Sequence, residues 1–486
     1  VEREVSATRS IAELPSPRGL PLLGNAHQLM RASRVHTRAE RWSRRYGSIV
    51  RVDIGRRRIV GISDAEEIHR ILRERPHAFR RWRDQEIVTR EMGMLAGNGA
   101  GAAGVFIAEG EEWKRQRRLV ITALNTNHLH RYFDVIRTAT ERLHRRLGEA
   151  AADGRVLQIT DELTSYTVDV ISALAFGHDL NTLERGENEL QRHIQRILEM
   201  TARRLAMPVP YWRWIKLPAD RALQRSLAEL RHAQEGFIAQ TRERMKARPE
   251  LFEEPENLLE AMLAAQRADP TFTDEEIIAN VGTIITAGED TTAHTLAWTM
   301  WLISSRGDIQ QRLAAEADAS LGADPFPTDH AAIEGLDYCE AVIRESLRMK
   351  TVGPLLTLEP LTDTTICGTR IPAGTRLLLL LREAGLHHGE RASEFAPERW
   401  LDDGDQEGVP KSLAFGAGPR FCPGRNLAFL EAKTALAMIA RNFEVELDDS
   451  HGPVSEFFGF TMIPKGLRVR LRERATDRSI AAGAAS

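Results

Sequence analysis

Thr273 and Glu276 form a Thr-x-x-Glu capping box. It opens an apolar segment that runs through Ile277, Ile278, Val281, Ile284, Ile285, Leu296, Trp298 and Ile303. About 30 residues of helix measure roughly 45 Å, enough to cross a whole domain, so the rest of the chain has to be arranged around this one element. Its middle reads Ala287-Gly288-Glu289-Asp290-Thr291-Thr292. A glycine beside acid and hydroxyl side chains half-way along a buried helix costs stability, which points to a functional reason for keeping them.

The 486 residues suffice for one large domain or for several smaller ones. Hydrophobic residues at 42%, charged residues at 28% and a net charge of -3 describe an ordinary globular protein with no electrostatic reason to hold nucleic acid. Three cysteines, Cys339, Cys367 and Cys422, are too few and too odd in number for a disulfide framework, which fits a reducing cytoplasm. No run approaches the roughly 18 apolar residues that cross a bilayer, so a soluble chain with no membrane anchor of its own is expected. Residues 1–13 and 474–486 are expected to be disordered. Helices are expected over 38–46, 64–74, 128–152, 161–176, 188–205 and 219–245, with short strands at 49–54, 58–62 and within 364–381. Gly99-Ala100-Gly101-Ala102-Ala103-Gly104 matches a dinucleotide fingerprint in form, but no strand precedes it and no acidic residue on a second strand follows, so it reads as a loop.

The second constraint is Phe415-Gly416-Ala417-Gly418-Pro419-Arg420-Phe421-Cys422-Pro423-Gly424, which runs into Arg425-Asn426-Leu427. It places a single cysteine where a glycine-rich loop becomes a helix. Pro423 suits the first helical position, where a missing N–H is no loss. Cys422 then lies at the positive end of a helix dipole beside Arg420, and both features favour the thiolate that ligates metals.

This loop, Phe-x-x-Gly-x-Arg-x-Cys-x-Gly, resembles the haem-ligating loop of the cytochrome P450 family. The resemblance extends from about residue 14 to 473 and implies one domain, mainly α with a small β-rich portion. It makes Cys422 the axial thiolate of haem b. Phe415 would pack beside the sulfur, Arg420 would meet a propionate, and Gly418 and Gly424 would complete the loop. In the long helix, Ala287 and Gly288 would lie over the macrocycle, Thr291 would hydrogen-bond dioxygen, and Asp290 would relay protons from solvent. Trp113 and Arg117, four apart and so on one helical face, would reach a propionate. Glu345, Arg348 and Arg399 would form a buried charge triad behind the haem loop. Val352, Leu355, Leu356, Phe457 and Phe458 would line a substrate pocket, roofed by the aromatic segment 207–215. The chain departs from the family pattern where an arginine is usual near Leu358, and in a short stretch at 385–390.

The resemblance implies a monooxygenase that activates dioxygen with two externally supplied electrons and hydroxylates or epoxidises a mainly hydrophobic small molecule. A member with atypical redox or isomerase-type chemistry, or a haem-binding sensor, is the alternative. No flavin fingerprint or cysteine cluster is present, so a separate ferredoxin or flavodoxin with its reductase is expected to dock near Cys422, using some of Lys114, Arg115, Arg118 and Arg425.

Overall fold

A computed structural model of the chain describes residues 9–29, 32–95, 103–186, 189–207, 210–386, 391–401 and 412–474. In chain order the first helices are α1 (Val35–Tyr46), α2 (Ala65–Arg73), α3 (Arg83–Leu95), α4 (Gly110–Ala123), α5 (Thr126–Arg131), α6 (Phe133–Ala152), α7 (Ile159–Phe176), α8 (Thr182–Arg185) and α9 (Glu189–Ala206). They continue with α10 (Pro218–Ala247), α11 (Leu258–Ala268), α12 (Asp274–Ile303), α13 (Gly307–Leu321), α14 (Ala331–Glu334), α15 (Asp337–Met349), α16 (Leu381–Leu386) and α17 (Arg425–Asn442). The strands are β1 (Ile49–Ile54), β2 (Arg57–Ile62), β3 (Phe79–Arg81), β4 (Val156–Leu157), β5 (Leu355–Pro360) and β6 (Thr364–Ile366), then β7 (Thr369–Ile371), β8 (Arg376–Leu380), β9 (Phe443–Leu447), β10 (Ser455–Phe458), β11 (Met462–Lys465) and β12 (Val469–Glu473). The fold is mainly α with small sheets, as expected.

The capping box starts α12 where the sequence places it: Glu276 N donates to Thr273 Oγ1 at 3.2 Å and Thr273 N to Glu276 Oε2 at 3.2 Å. The helix then runs 30 residues through the main core, which α6, α7, α11, α13, α15 and α17 share. Its closest neighbour is α7. A Cβ on Gly288 would stand 2.8 Å from Ile171 of that helix, so the glycine is what allows the two backbones to approach there.

A second core lies under a five-stranded sheet of order β1-β2-β8-β5-β3, built on Val60, Ile62, Ile68, Phe79, Leu358 and Leu377. Only β2 and β8 pair in parallel. Gly55, at φ 57, allows the tight turn that closes β1 onto β2. At the sheet edge, Arg81 of β3 stands opposite Leu358 of β5.

Several boundaries differ from the sequence reading. Residues 128–152 are not one helix, because the backbone breaks at buried Tyr132, whose N–H is shared between the His128 and His130 carbonyls. Order begins before residue 14: Arg9 bridges Thr369, and Ile11–Glu13 form a 3-10 turn in which Glu13 reaches back to Ser10 N. At the other end Arg474 pairs with Asp318 at 3.1 Å. Residues 1–8 and 475–486 lie outside the described residues, as do 96–102 of the glycine-rich loop and 387–390 of the short stretch.

Candidate functional site

A cavity of about 2420 Å³ opens between α12 and α17, and every residue discussed as cofactor-binding, catalytic or pocket-lining in the sequence reading borders it except Gly418. Its floor is the loop that precedes α17. Cys422 N donates to Phe415 O at 2.9 Å, which closes the loop into a turn, while the Phe415 ring packs on Phe429 with centroids 5.5 Å apart. Gly418 faces away from the cavity, toward α2. At φ 68 it seats the loop on the end of α2, where a Cβ would fall 2.6 Å from Leu72 O.

Gly424 is the N-cap of α17 and Arg425 its first residue, so Pro423 precedes the helix instead of opening it. The offset brings the amides of Gly424 and Arg425 onto the Cys422 sulfur. The sulfur lies deep in the protein with one edge open to the cavity. Burial pushes the Cys422 thiol up, and the Gly424 amide, Arg117 and the Arg425 amide offset this only in part. The expected preference for the thiolate is therefore reversed in the protein alone, because desolvation outweighs the helix end.

The facing wall is α12. Thr291 turns its hydroxyl onto Ala287 O at 2.6 Å, the usual resting bond of a threonine within a helix. Asp290 makes no ion pair among the described residues, and burial alone raises its pKa to about 6. Below them lies a group that the sequence reading missed. Glu431 of α17 is fully buried and is raised to about 8 by desolvation, with a hydrogen bond from Thr292 opposing the shift. On paper it is one more acid on an amphipathic helix, which is why it escaped notice.

One rim of the cavity is crowded with guanidinium groups. Arg420 pairs with Glu109 at 3.0 Å, hydrogen-bonds Ala108 O and lies over the Trp113 ring at 4.8 Å. Arg117 donates to Phe421 O at 2.5 Å. Arg75 and Arg81, neither anticipated, complete the group: Arg75 stands 3.5 Å from Glu109, and Arg81 Nε donates to Phe106 O at 2.7 Å. Three of these cations, Arg75, Arg81 and Arg420, thus share the Glu109 carboxylate. Burial, and then repulsion between neighbours, lowers Arg75 to about 9, Arg81 to about 10 and Arg420 to about 9, while burial also lowers Arg117. The Nε atoms of Arg75, Arg117 and Arg420 are buried without a partner. Such a rim is short of negative charge and fits the acidic edge of a bound group. Arg81 stands opposite Leu358 on the neighbouring strand.

Behind the loop, Glu345 takes Arg348 Nη2 at 2.7 Å and Nε at 2.9 Å, Arg399 Nε at 3.0 Å, Trp400 Nε1 at 2.9 Å and Ala396 N at 3.0 Å. Burial opposes its charge, but these donors hold its carboxyl below the usual range. The expected triad is present, widened by Trp400 and a backbone amide.

The apolar wall contains Val352, Leu355, Leu356, Phe457 and Phe458, with Phe106 and Phe460 added by the fold. In the aromatic segment, buried Trp212 donates to Glu91 at 3.1 Å and carries Arg204, which pairs with Asp220 at 2.9 Å, whereas Trp214 and Ile215 are exposed. Of the four expected docking cations, Arg115 is tied to Glu276 at the start of α12 and Arg425 lies over Phe429. Lys114, paired with Glu111, and Arg118 are exposed. No helix among the described residues is long and apolar enough to cross a membrane.

The family model for Cytochrome P450 matches residues 14–471. The chain is 26% identical to LUTEIN DEFICIENT 5, a chloroplastic protein of Arabidopsis thaliana, over 90% of this chain and 73% of that one. It is also 26% identical to the 3,9-dihydroxypterocarpan 6A-monooxygenase of Glycine max, over 90% and 88%. A bifunctional cytochrome P450/NADPH–P450 reductase of Alternaria alternata is 28% identical over 77% of this chain and 34% of its own length. With a cysteine at the cavity floor, a hydroxyl and an acid facing it and a cationic rim, the match is coherent along the sequence and in space, and the chain belongs to the cytochrome P450 family.

Proposed function

We propose that Cys422 ligates the iron of haem b and that the enzyme hydroxylates or epoxidises a mainly hydrophobic small molecule. The observation that carries this reading is the cavity itself: one sulfur on its floor, Asp290 and Thr291 on the opposite wall, and four arginines on a rim short of negative charge. Trp113, Arg117 and Arg420, together with Arg75 and Arg81, would hold the propionates. When bound, haem supplies the dioxygen-activating chemistry. The protein positions substrate against the apolar wall and meters protons. Asp290, raised to about 6, gains and loses its proton near neutral pH, and the Thr291 hydroxyl one residue on can both accept and donate in the same space.

Electrons come from a separate ferredoxin or flavodoxin with its reductase. Assayed with either carrier, Thr291→Ala should consume electrons while forming several-fold less product per electron, because proton delivery no longer matches electron supply. Unchanged product per electron would count against the role of Thr291. No turnover with either carrier in the unaltered enzyme would remove this account of electron supply.

Glu431 gives a prediction about stability. Its folded pKa of about 8 lies above the ordinary carboxylate value, so the folded state keeps a proton that the unfolded chain has lost. The stabilisation is full in acid and is lost as pH rises toward about 8. Glu431→Gln should therefore flatten the fall in Tm between about pH 5 and about pH 8. An identical slope in the variant would show that Glu431 holds no such proton.

A further inference from the structure

Beyond Thr291, α12 carries into the cavity wall a histidine that the proposed chemistry does not use. His294 lies three residues further along α12, on the same helical face. Its Nδ1 is 2.8 Å from Oγ1 of Thr461, at the turn between β10 and β11. Both side chains border the cavity, although His294 is only 4% exposed and Thr461 3%. Nε2 of His294 has no hydrogen-bond partner among the described residues and is not sealed within the protein, so it is left on the cavity wall. The same cavity is lined by the apolar side chains of Val352, Leu355, Leu380, Phe458 and Phe460.

The pair is held from behind. Trp298, one turn beyond His294, donates to Met462 O at 2.8 Å and fixes the hairpin to α12. On β10, Glu456 receives Lys350 at 2.6 Å, Arg382 at 2.8 Å and His36 Nε2 at 3.0 Å, anchoring the hairpin to three other elements. Such a fixed polar point loses little freedom when it takes a ligand. Burial lowers the pKa of His294 to about 4, so the ring is neutral at ordinary pH. If Thr461 donates to Nδ1, Nε2–H is a donor; if Nδ1–H donates to Thr461, Nε2 is an acceptor.

We propose that the His294–Thr461 pair determines specificity in this pocket by hydrogen-bonding one neutral oxygen, a ketone or a hydroxyl, on an otherwise apolar substrate. This inference rests on the monooxygenase reading for the identity of the ligand as a substrate. A hydrocarbon of the same shape leaves Nε2 unpaired. A carboxylate meets no cation at this point and has to be stripped of water to reach it.

The test uses the haem-loaded protein and a rigid bicyclic series: decalin, decalone, decalol and decalin carboxylic acid. Binding is read by calorimetry, which does not depend on haem colour, and by the haem absorbance shift. Decalone and decalol should bind about tenfold more tightly than decalin, the worth of one well-formed neutral hydrogen bond, and the acid should gain nothing over decalin. His294→Leu and, independently, Thr461→Val should erase that advantage while leaving decalin binding within about twofold of the unaltered enzyme. Equal binding of decalin and decalone to the unaltered enzyme, an advantage that survives both variants, or a preference for the acid would each overturn the proposal. A normal ferrous carbon monoxide band without the preference defeats this inference alone. The preference without that band defeats the haem-thiolate reading and leaves the pair as a ligand site.

Discussion

Cys422→Ala should abolish the strongly red-shifted ferrous carbon monoxide band of thiolate-ligated haem, and with it all turnover driven by external electrons. The other cysteines cannot substitute. Cys339 is buried within α15, and Cys367 sits in the turn between β6 and β7, so neither borders the cavity. Folding of the haem-free protein should change little, since Cys422 in that state is a neutral thiol with an open edge and the loop is closed by backbone bonds. Parallel measurements of haem content, the carbon monoxide spectrum and the melting curve of the haem-free protein separate ligation from stability. A variant that keeps the red-shifted band would refute the ligand assignment. Because the protein alone favours the protonated sulfur, ligation has to release a proton, so haem affinity should also weaken toward acid pH.

The second large effect belongs to Glu345. Its carboxylate collects five donors, and both it and Arg348 are excluded from solvent. Glu345→Gln preserves shape but removes the charge, leaving Arg348 buried without compensation. A cost of about 3–5 kcal/mol follows, most of it the penalty of a stranded cation. Arg348 also donates to the carbonyls of Ala392 and Glu394, and Arg399 to Arg391, so the loss should propagate into the segment that leads to the cysteine loop. Denaturant titration should show the drop in stability, and purified protein should carry little haem. Arg399→Lys, at the more exposed end, should cost much less. Equal effects of the two substitutions would mean that the buried pair is not the source.

The sequence was most legible where one side chain had one geometric meaning. The Thr273–Glu276 box marks the start of α12, and the cysteine loop and the Trp113–Arg117 face border one cavity, whereas the Glu345 triad, which spans more than fifty residues, was legible only through the family resemblance. Three features were hidden for different physical reasons. Arg81 becomes part of the rim through strand register, since nothing local says that β3 will lie beside β5. Glu431 looks like a solvated helix charge until the fold shows that its face is the core. His294 gains its role from a hairpin more than 160 residues away. The offset of Pro423 shows the limit of helix-start rules, which miss by a residue or two when a loop must also aim its amides at a sulfur.

Arg81 and Glu109 have a bearing on how such an enzyme diversifies. They stand at the two ends of the segment that carries α3 and the glycine-rich loop, and Glu109 accepts the Arg81 amide at 3.0 Å while Arg81 grips Phe106 O. The segment is therefore held at its base, at the cationic rim of the cavity. Within it Gln85 and Thr89 of α3 border the cavity, so substitutions there can reshape its wall while that base keeps the rim in place.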